Sequence, residues 1–311
     1  MAKKIYVCLT MDCETAHTET SAHAVRMSAS GPEDYTMSDR SIRGYFQLAE
    51  RYGFPITCFV HPEVAAAHAD LLLELETRGA CLGLHIHPYK LKGGDYRLDM
   101  GGYTFEEQDA MLSMASRQWQ SFLGKRPEYF RAGYFSASDS TIPALIKNGF
   151  RGGSLSNPGR VLPDHFSVWA GAGLYPYRAN PAFRGQKGSS DFVEVPVSVD
   201  LQARVADQKN SSALYEDRSR IDGYQWPYIP AGFDHKRVIQ NIIHRFQKDD
   251  PPFPVIVTDT HNDHDYGDPD NPVTKNFHQV IQAILAESEN FGFEPLGVTI
   301  AQICDLVRQP E

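Results

Sequence analysis

No apolar run in the 311 residues approaches the ~20 that a membrane-spanning helix requires, because charge or glycine interrupts the longest candidates. There is no C-x-x-C pair either. The five cysteines (Cys8, Cys13, Cys58, Cys81 and Cys304) are odd in number and scattered, so they indicate neither a disulfide framework nor a thiolate zinc site. Those in apolar runs read as small core hydrophobes. Basic residues are outnumbered: 30 Lys and Arg against 39 Asp and Glu leave a net charge of −9, which argues against a nucleic-acid wrapper or a basic membrane-surface protein. At the N-terminus, Lys3-Lys4 precede only Ile5 to Thr10 before Asp12 and Glu14 restore charge, too short for a signal-peptide apolar region, and a cytoplasmic protein is expected. Internal repeats, low-complexity tracts and a Ser/Gly/Pro linker between two halves are likewise missing.

Short β-branched or apolar runs alternate with amphipathic stretches of helical length along the whole chain, the pattern of an α/β fold with a mainly parallel sheet. Strands are expected near Lys4–Thr10, Pro55–Val60, Ala80–His87, Tyr129–Tyr134, Phe150–Ser154, Phe192–Asp200, Pro254–Thr260 and Glu294–Val298. Helices are expected at Ser38–Tyr52, His68–Arg78, Thr104–Phe122, Ser138–Asn148, Asp234–Gln247, Pro272–Phe291 and Thr299–Arg308. Gly53, Gly79 and Gly124 stand where the first three would end, and Thr104 with Glu107 forms a capping box. Seven or eight such units favour one barrel-like domain over residues 1–311, a distorted (β/α)7-8 barrel with mainly parallel strands. Three irregular stretches, Thr15–Met37, Asn157–Asp191 and Gln202–Phe233, follow strands and read as lids or binding loops.

Four strand ends carry chemistry. Leu9-Thr10-Met11-Asp12-Cys13-Glu14 ends in carboxylates at i and i+2, which share one strand face. Leu82 to Tyr89 contains His85 and His87, again at i and i+2, so both imidazoles can reach one metal ion. Arg131 stands at a third strand end beside the Gly133 turn, and the apolar strand from Val255 runs into Asp259, His261, Asp263 and His264. Each cluster also has a bland reading, as a solvated terminus, a satisfied core histidine, a surface ion pair or a polar turn. Convergence on one barrel rim changes that balance, since two His plus one carboxylate with an open position make a hydrolytic metal centre.

The chain resembles the polysaccharide deacetylases of the NodB-homology type, the fourth carbohydrate esterase family. The T-F-D-D motif of that family corresponds to Thr10-Met11-Asp12-Cys13, its paired histidines to His85 and His87-Pro88, its R-x-P-Y motif to Arg131-Ala132-Gly133-Tyr134, and its late strand-end histidine to His261. Three departures stand out. Cys13 replaces an acid, with Glu14 fitting a variant that places the acid two residues after the first; the histidines are one residue apart and not three; and Gly133 replaces proline.

The resemblance implies metal-assisted removal of an N-acetyl group from a sugar. Glu14, His85 and His87 would hold one divalent ion, with zinc the first choice and cobalt, manganese, nickel and iron left open. Asp12 would be the general base, oriented by Arg131, and His261 the general acid, with His264 its competitor for the role. A backbone N–H near Tyr134 would help hold the oxyanion, and Tyr134 and Trp226 would contact a small-molecule or oligosaccharide substrate, Trp226 by stacking on a sugar face unless it serves loop packing. A cytoplasmic location points to sugar nucleotides, lipid-linked intermediates or small non-sugar amides such as cyclic ureides. The rival from another class is a non-catalytic carbohydrate-binding barrel, for which Cys13 is the best support. The oligomeric state leaves no signal in the sequence.

Overall fold

A computed structural model describes residues 3–20, 31–205, 217–221 and 235–309. In chain order the elements are β1 (Lys3–Cys13), α1 (Tyr35–Glu50), β2 (Ile56–Val60), α2 (Pro62–Ala67), α3 (Ala69–Thr77), β3 (Cys81–Ile86), α4 (Phe105–Leu123), β4 (Tyr129–Ala132), α5 (Thr141–Lys147) and β5 (Gly152–Gly153). Then come β6 (Val161–Leu162), β7 (Ser167–Val168), β8 (Tyr177–Asn180), β9 (Phe183–Lys187), β10 (Val193–Glu194), β11 (Val199–Val205) and β12 (Asp217–Arg220). The chain finishes with α6 (His235–Asp249), β13 (Val255–Val257), α7 (Pro272–Asn290), β14 (Phe293–Gly297) and α8 (Ile300–Arg308). Among these helices none is long and apolar enough to cross a membrane.

The main sheet runs β13-β1-β2-β3-β4-β5-β10-β8-β9, with β14 also paired to β1. Every pairing from β13 through β10 is parallel; β10-β8 and β8-β9 are antiparallel. The expected α/β barrel with mainly parallel strands is therefore present, curled and distorted. Strand β1 is its centre. It is buried at Ile5 and from Val7 through Cys13, as a parallel strand covered on both faces must be, which explains its nearly unbroken apolar sequence. Segment 195–198 closes the curl: Val195 N–H donates to Gly153 O (2.8 Å), Val197 N–H to Ser156 O (3.1 Å) and Ser198 N–H to Val257 O (3.1 Å).

Local signals read from sequence hold where they rest on caps. Thr104 and Glu107 form the capping box of α4, Gly124 ends it at φ 70°, and Thr299 with Gln302 caps α8, so Thr299 precedes that helix and does not open it. Other expectations need correction. Helix α2 was not anticipated; its six residues are too few to display a helical period. The expected strand Phe192–Asp200 divides into β10 and β11, and Tyr129–Tyr134 stops at Ala132 because Tyr134 and Phe135 adopt left-handed backbone (φ 56° and 55°). The strand expected to reach Thr260 ends its regular pairing at Val257, after which Thr258 N–H turns to Cys8 O and Asp259 N–H to Ile221 O. Stretch 157–191 is not a bare loop but carries the hairpins β6-β7 and β8-β9, whose short strands alternate too little to be seen in sequence.

Ser198 Oγ accepts from Val257 N (2.9 Å) and donates to Val255 O (3.1 Å), so one buried hydroxyl ties segment 195–198 to β13 twice. Ser198→Ala is expected to lower stability by about 1–3 kcal/mol, the cost of leaving a buried donor without its partner. Denaturant unfolding of both proteins checks this.

Candidate active site

The polar strand ends do converge. The Glu14 carboxylate meets both imidazoles through one oxygen: Oε1 lies 3.1 Å from His85 Nε2 and 2.7 Å from His87 Nε2. Its other oxygen, Oε2, accepts from Lys90 Nζ at 3.0 Å. Glu14 and His85 are wholly buried and His87 is 3% exposed. The ligand atoms of Glu14, His85 and His87 all lie within 4.8 Å of one another, the one such group of three among the described residues.

The donor set fits a divalent ion. His85 Nδ1 lies 3.0 Å from the Arg131 carbonyl, which can only accept, so Nδ1 carries a proton and Nε2 is the nitrogen turned to Glu14; burial opposes charge on this ring, but Asp12 and Glu14 outweigh it and raise its pKa. Two imidazole nitrogens and a carboxylate oxygen brought this close are the donor types that a zinc-like ion takes. Burial drives the His87 imidazole down to about 3, against the pull of Glu14. Burial also opposes ionisation of Glu14, yet His87, Lys90 and His85 outweigh it and hold the carboxyl well below its usual range. Tyr89 Oη lies 2.7 Å from His87 Nδ1 and sets that ring from the other side.

Beside this trio lies a second cluster, built on Arg131. Its guanidinium is 0% exposed; NH1 donates to Asp12 Oδ1 (2.9 Å), Asp259 Oδ1 (3.0 Å) and Thr10 Oγ1 (2.8 Å). NH2 donates to Ser154 Oγ (3.0 Å), Nε to Ser154 O (3.3 Å), and the group lies 4.4 Å from the Phe59 ring centroid. Asp12 Oδ2 stands 3.9 Å from His85 Nδ1, which joins the two clusters. Burial raises the Asp12 carboxyl above its ordinary range, against the pull of Arg131 and His85.

His261 is half-buried and bridged to Asp12 through backbone: Asp12 N–H donates to Thr260 O (2.8 Å) and Asn262 N–H to Asp12 O (3.3 Å). Burial lowers its imidazole pKa, but Asp259, Asp263, Asp12 and Glu14 outweigh burial and raise it, favouring the protonated form. His264 is also half-buried, 3.4 Å from Asp263, three residues further into the loop. Tyr134 is half-buried, stacks on His165 (4.0 Å between centroids) and meets the His87 ring edge-on at 5.5 Å. Trp226 and its neighbours 224–228 lie outside the described residues.

Sequence reasoning missed three residues of this site. Lys90 is returned to Glu14 by the 3₁₀ turn Pro88–Lys90, whose Lys90 N–H donates to His87 O (2.9 Å); the Pro after His87 was the available signal. Asn262 Oδ1 accepts from Glu14 N (2.7 Å) and its Nδ2 donates to Glu14 O (3.1 Å), clamping the backbone of that residue. Ser154, at the end of β5, carried no signal at all.

The proline-to-glycine departure has a steric cause. Register pairs His85 with Arg131 and Ile86 with Ala132, so His87 falls beside Gly133, and a Cβ there would lie 2.1 Å from His87 Cε1. Gly133→Ala is expected to keep the fold, displace the His87 ring and weaken divalent-metal affinity about 10–100-fold, the range for losing support of a ligand. Metal titration against a chromophoric chelator measures it.

Residues 34–153, which include His85, His87 and Arg131 but neither β1 nor His261, match the family model described as polysaccharide deacetylase. Among curated proteins none matches the chain. Solved structures share its fold. A Mycobacterium smegmatis protein assigned to the polysaccharide deacetylases aligns with TM-score 0.58 and 15% identity over 100% of this chain and 96% of its own. A glycoside hydrolase/deacetylase candidate from Parabacteroides distasonis gives 0.66 and 12% over 99% and 72%, and PuuE allantoinase 0.55 and 13% over 97% and 89%. Residues 34–153 thus match the polysaccharide deacetylase family model, and the chain as a whole shares the fold of the Mycobacterium smegmatis protein.

Proposed function

We propose that the protein, with residues 1–311 as one domain, is a metal-dependent hydrolase that removes an N-acetyl group from a carbohydrate or sugar-containing substrate. The observation that carries this reading is the shared approach of His85 Nε2 and His87 Nε2 to Glu14 Oε1, one residue layer from an Asp12 bound to Arg131. Glu14, His85 and His87 would hold a divalent ion, zinc first among the candidates, which when bound polarises the acyl carbonyl and acidifies water.

The chain's own residues supply the rest. Asp12 receives the proton of the attacking water; Arg131 holds its carboxylate through Oδ1, leaving Oδ2 on the side of His85. His261 delivers a proton to the departing nitrogen, without which an amine is a poor leaving group. Its bridge to Asp12 keeps base and acid on adjoining strand ends. The Tyr134 backbone N–H, on a turn held by Arg160 NH1 to Tyr134 O (3.2 Å) and Trp169 Nε1 to Phe135 O (2.7 Å), is the donor for the oxyanion. Tyr134 and Trp226 would contact substrate.

The fold shared with an allantoinase supports a second substrate class, a small amide or cyclic ureide hydrolysed by the same machinery. Release of acetate from N-acetylated sugars, compared with ring opening of cyclic ureides, separates the two. Turnover of neither by the metal-loaded protein would sink both and favour a carbohydrate-binding role.

Two predictions follow from the division of labour between the acids and between the histidines. Asp12→Asn should retain stoichiometric metal and lose turnover, whereas Glu14→Gln should weaken metal binding itself; metal analysis showing the reverse exchanges their roles. His261→Ala should lower kcat by about 10²–10⁴-fold with metal content intact, the usual worth of general-acid assistance. His264→Ala should cost much less. Steady-state kinetics of the two variants decides which histidine is the acid.

A further inference from the structure

The two oxygens of Glu14 have different partners. Oε1 faces the imidazoles at 3.1 and 2.7 Å, while Oε2 accepts from the Lys90 ammonium at 3.0 Å. Both side chains are 0% exposed, so neither water nor salt competes for that contact. Lys90 reaches it from the same short turn that carries His87, through its own N–H to His87 O. The ammonium and one of the imidazoles are therefore placed by a single backbone feature and cannot drift apart.

A carboxylate that chelates an ion offers it both oxygens. An ammonium on Oε2 competes with an ion for that oxygen by charge and position, which leaves Oε1 the favoured ligand atom. Two imidazole nitrogens and one oxygen, with a position left open, is the low-coordinate arrangement that zinc and cobalt accept. A second oxygen would raise the coordination number toward the oxygen-rich, higher-coordinate sets that manganese takes more readily.

We propose that Lys90 is a positioning residue that keeps Glu14 monodentate and thereby biases the site toward zinc or cobalt over manganese. The inference rests on the reading of Glu14, His85 and His87 as a metal centre, and it assigns a cause to a metal preference that the sequence leaves open.

The test uses the full chain as wild type, Lys90→Met and Lys90→Arg, each loaded with cobalt and separately titrated with zinc and manganese. Wild type should show the intense visible bands of low-coordinate cobalt. Lys90→Met should show bands several-fold weaker, and its zinc-to-manganese affinity ratio should fall by about tenfold, the lower end of the effect of an outer-layer partner. Lys90→Arg, which keeps a cation at Oε2, should retain the wild-type ratio. Unchanged bands and ratio in Lys90→Met overturn the proposal, as does an equal change in Lys90→Arg. Should Lys90→Met fail to fold, X-ray absorption of the zinc-loaded wild type decides: one carboxylate oxygen in the zinc shell supports the proposal and two overturn it. A wild type that takes up no ion overturns the metal-centre reading and this inference together, whereas an ion held by both oxygens overturns this inference alone.

Discussion

A guanidinium with no exposed surface sits between two buried carboxylates, and the rim of the barrel is organised around it. Burying the charge of Arg131 is tolerable because Asp12, Asp259, Thr10 and Ser154 satisfy its donors and Phe59 lies under its face. Those partners come from β1, the segment after β13, the residue after β5, and β2, so one side chain of β4 fixes the relative positions of four strand ends. Removing one member of such a set typically costs about 3–5 kcal/mol, because an uncompensated charge is left inside. Support extends outward. Glu194 accepts from the N–H groups of Leu155 and Ser156 and from Ser156 Oγ, holding the segment that contains Ser154, and burial pushes its carboxyl up to about 7.

The departures from the family pattern are structurally coupled. With one residue between the histidines, both point the same way from β3, and the second lies over position 133, where only glycine leaves room for its ring. Cys13 belongs to the same logic. In a strand whose side chains alternate, Asp12 and Glu14 share the site face while position 13 turns into the core, where Cys13 is wholly buried. Burial pushes its thiol well above the ordinary range, so it behaves as a packed apolar group and not as a ligand. Replacement of an acid there leaves the cluster of Glu14, His85 and His87 in place.

Consecutive left-handed residues Tyr134 and Phe135 show where the barrel departs from regular structure. Such backbone costs roughly 1–2 kcal/mol per residue for non-glycine side chains. Here it is held by Arg160, by Trp169 and by the stack of Tyr134 on His165, which is itself bound to Asp99 at 2.9 Å. Stretch 157–191, read from sequence as a lid or binding loop, has a structural duty beside any contact with substrate: it holds the turn at the site's edge.

The carboxylate pair, the histidine pair, Arg131 and the late histidine were all legible in the sequence, as was the alternation of strands and helices. The reason is that each depends on local periodicity: a two-residue repeat places paired ligands on one face, and caps such as Thr104 with Glu107 or Thr299 with Gln302 act within four residues. Lys90, Asn262 and Ser154 were not legible. Asn262 meets Glu14 across 248 residues, and Ser154 meets Arg131 across 23 through parallel-strand neighbours. Hairpins β6-β7 and β8-β9 escaped because two- to five-residue strands leave no period to read. By itself the sequence determined the types of chemical group and the strand faces that carry them, since those follow from spacing along one chain. Which oxygen of Glu14 faces the imidazoles, which carboxylates Arg131 holds and why residue 133 must be glycine were decided by strand order and register, which join positions that have no proximity in sequence.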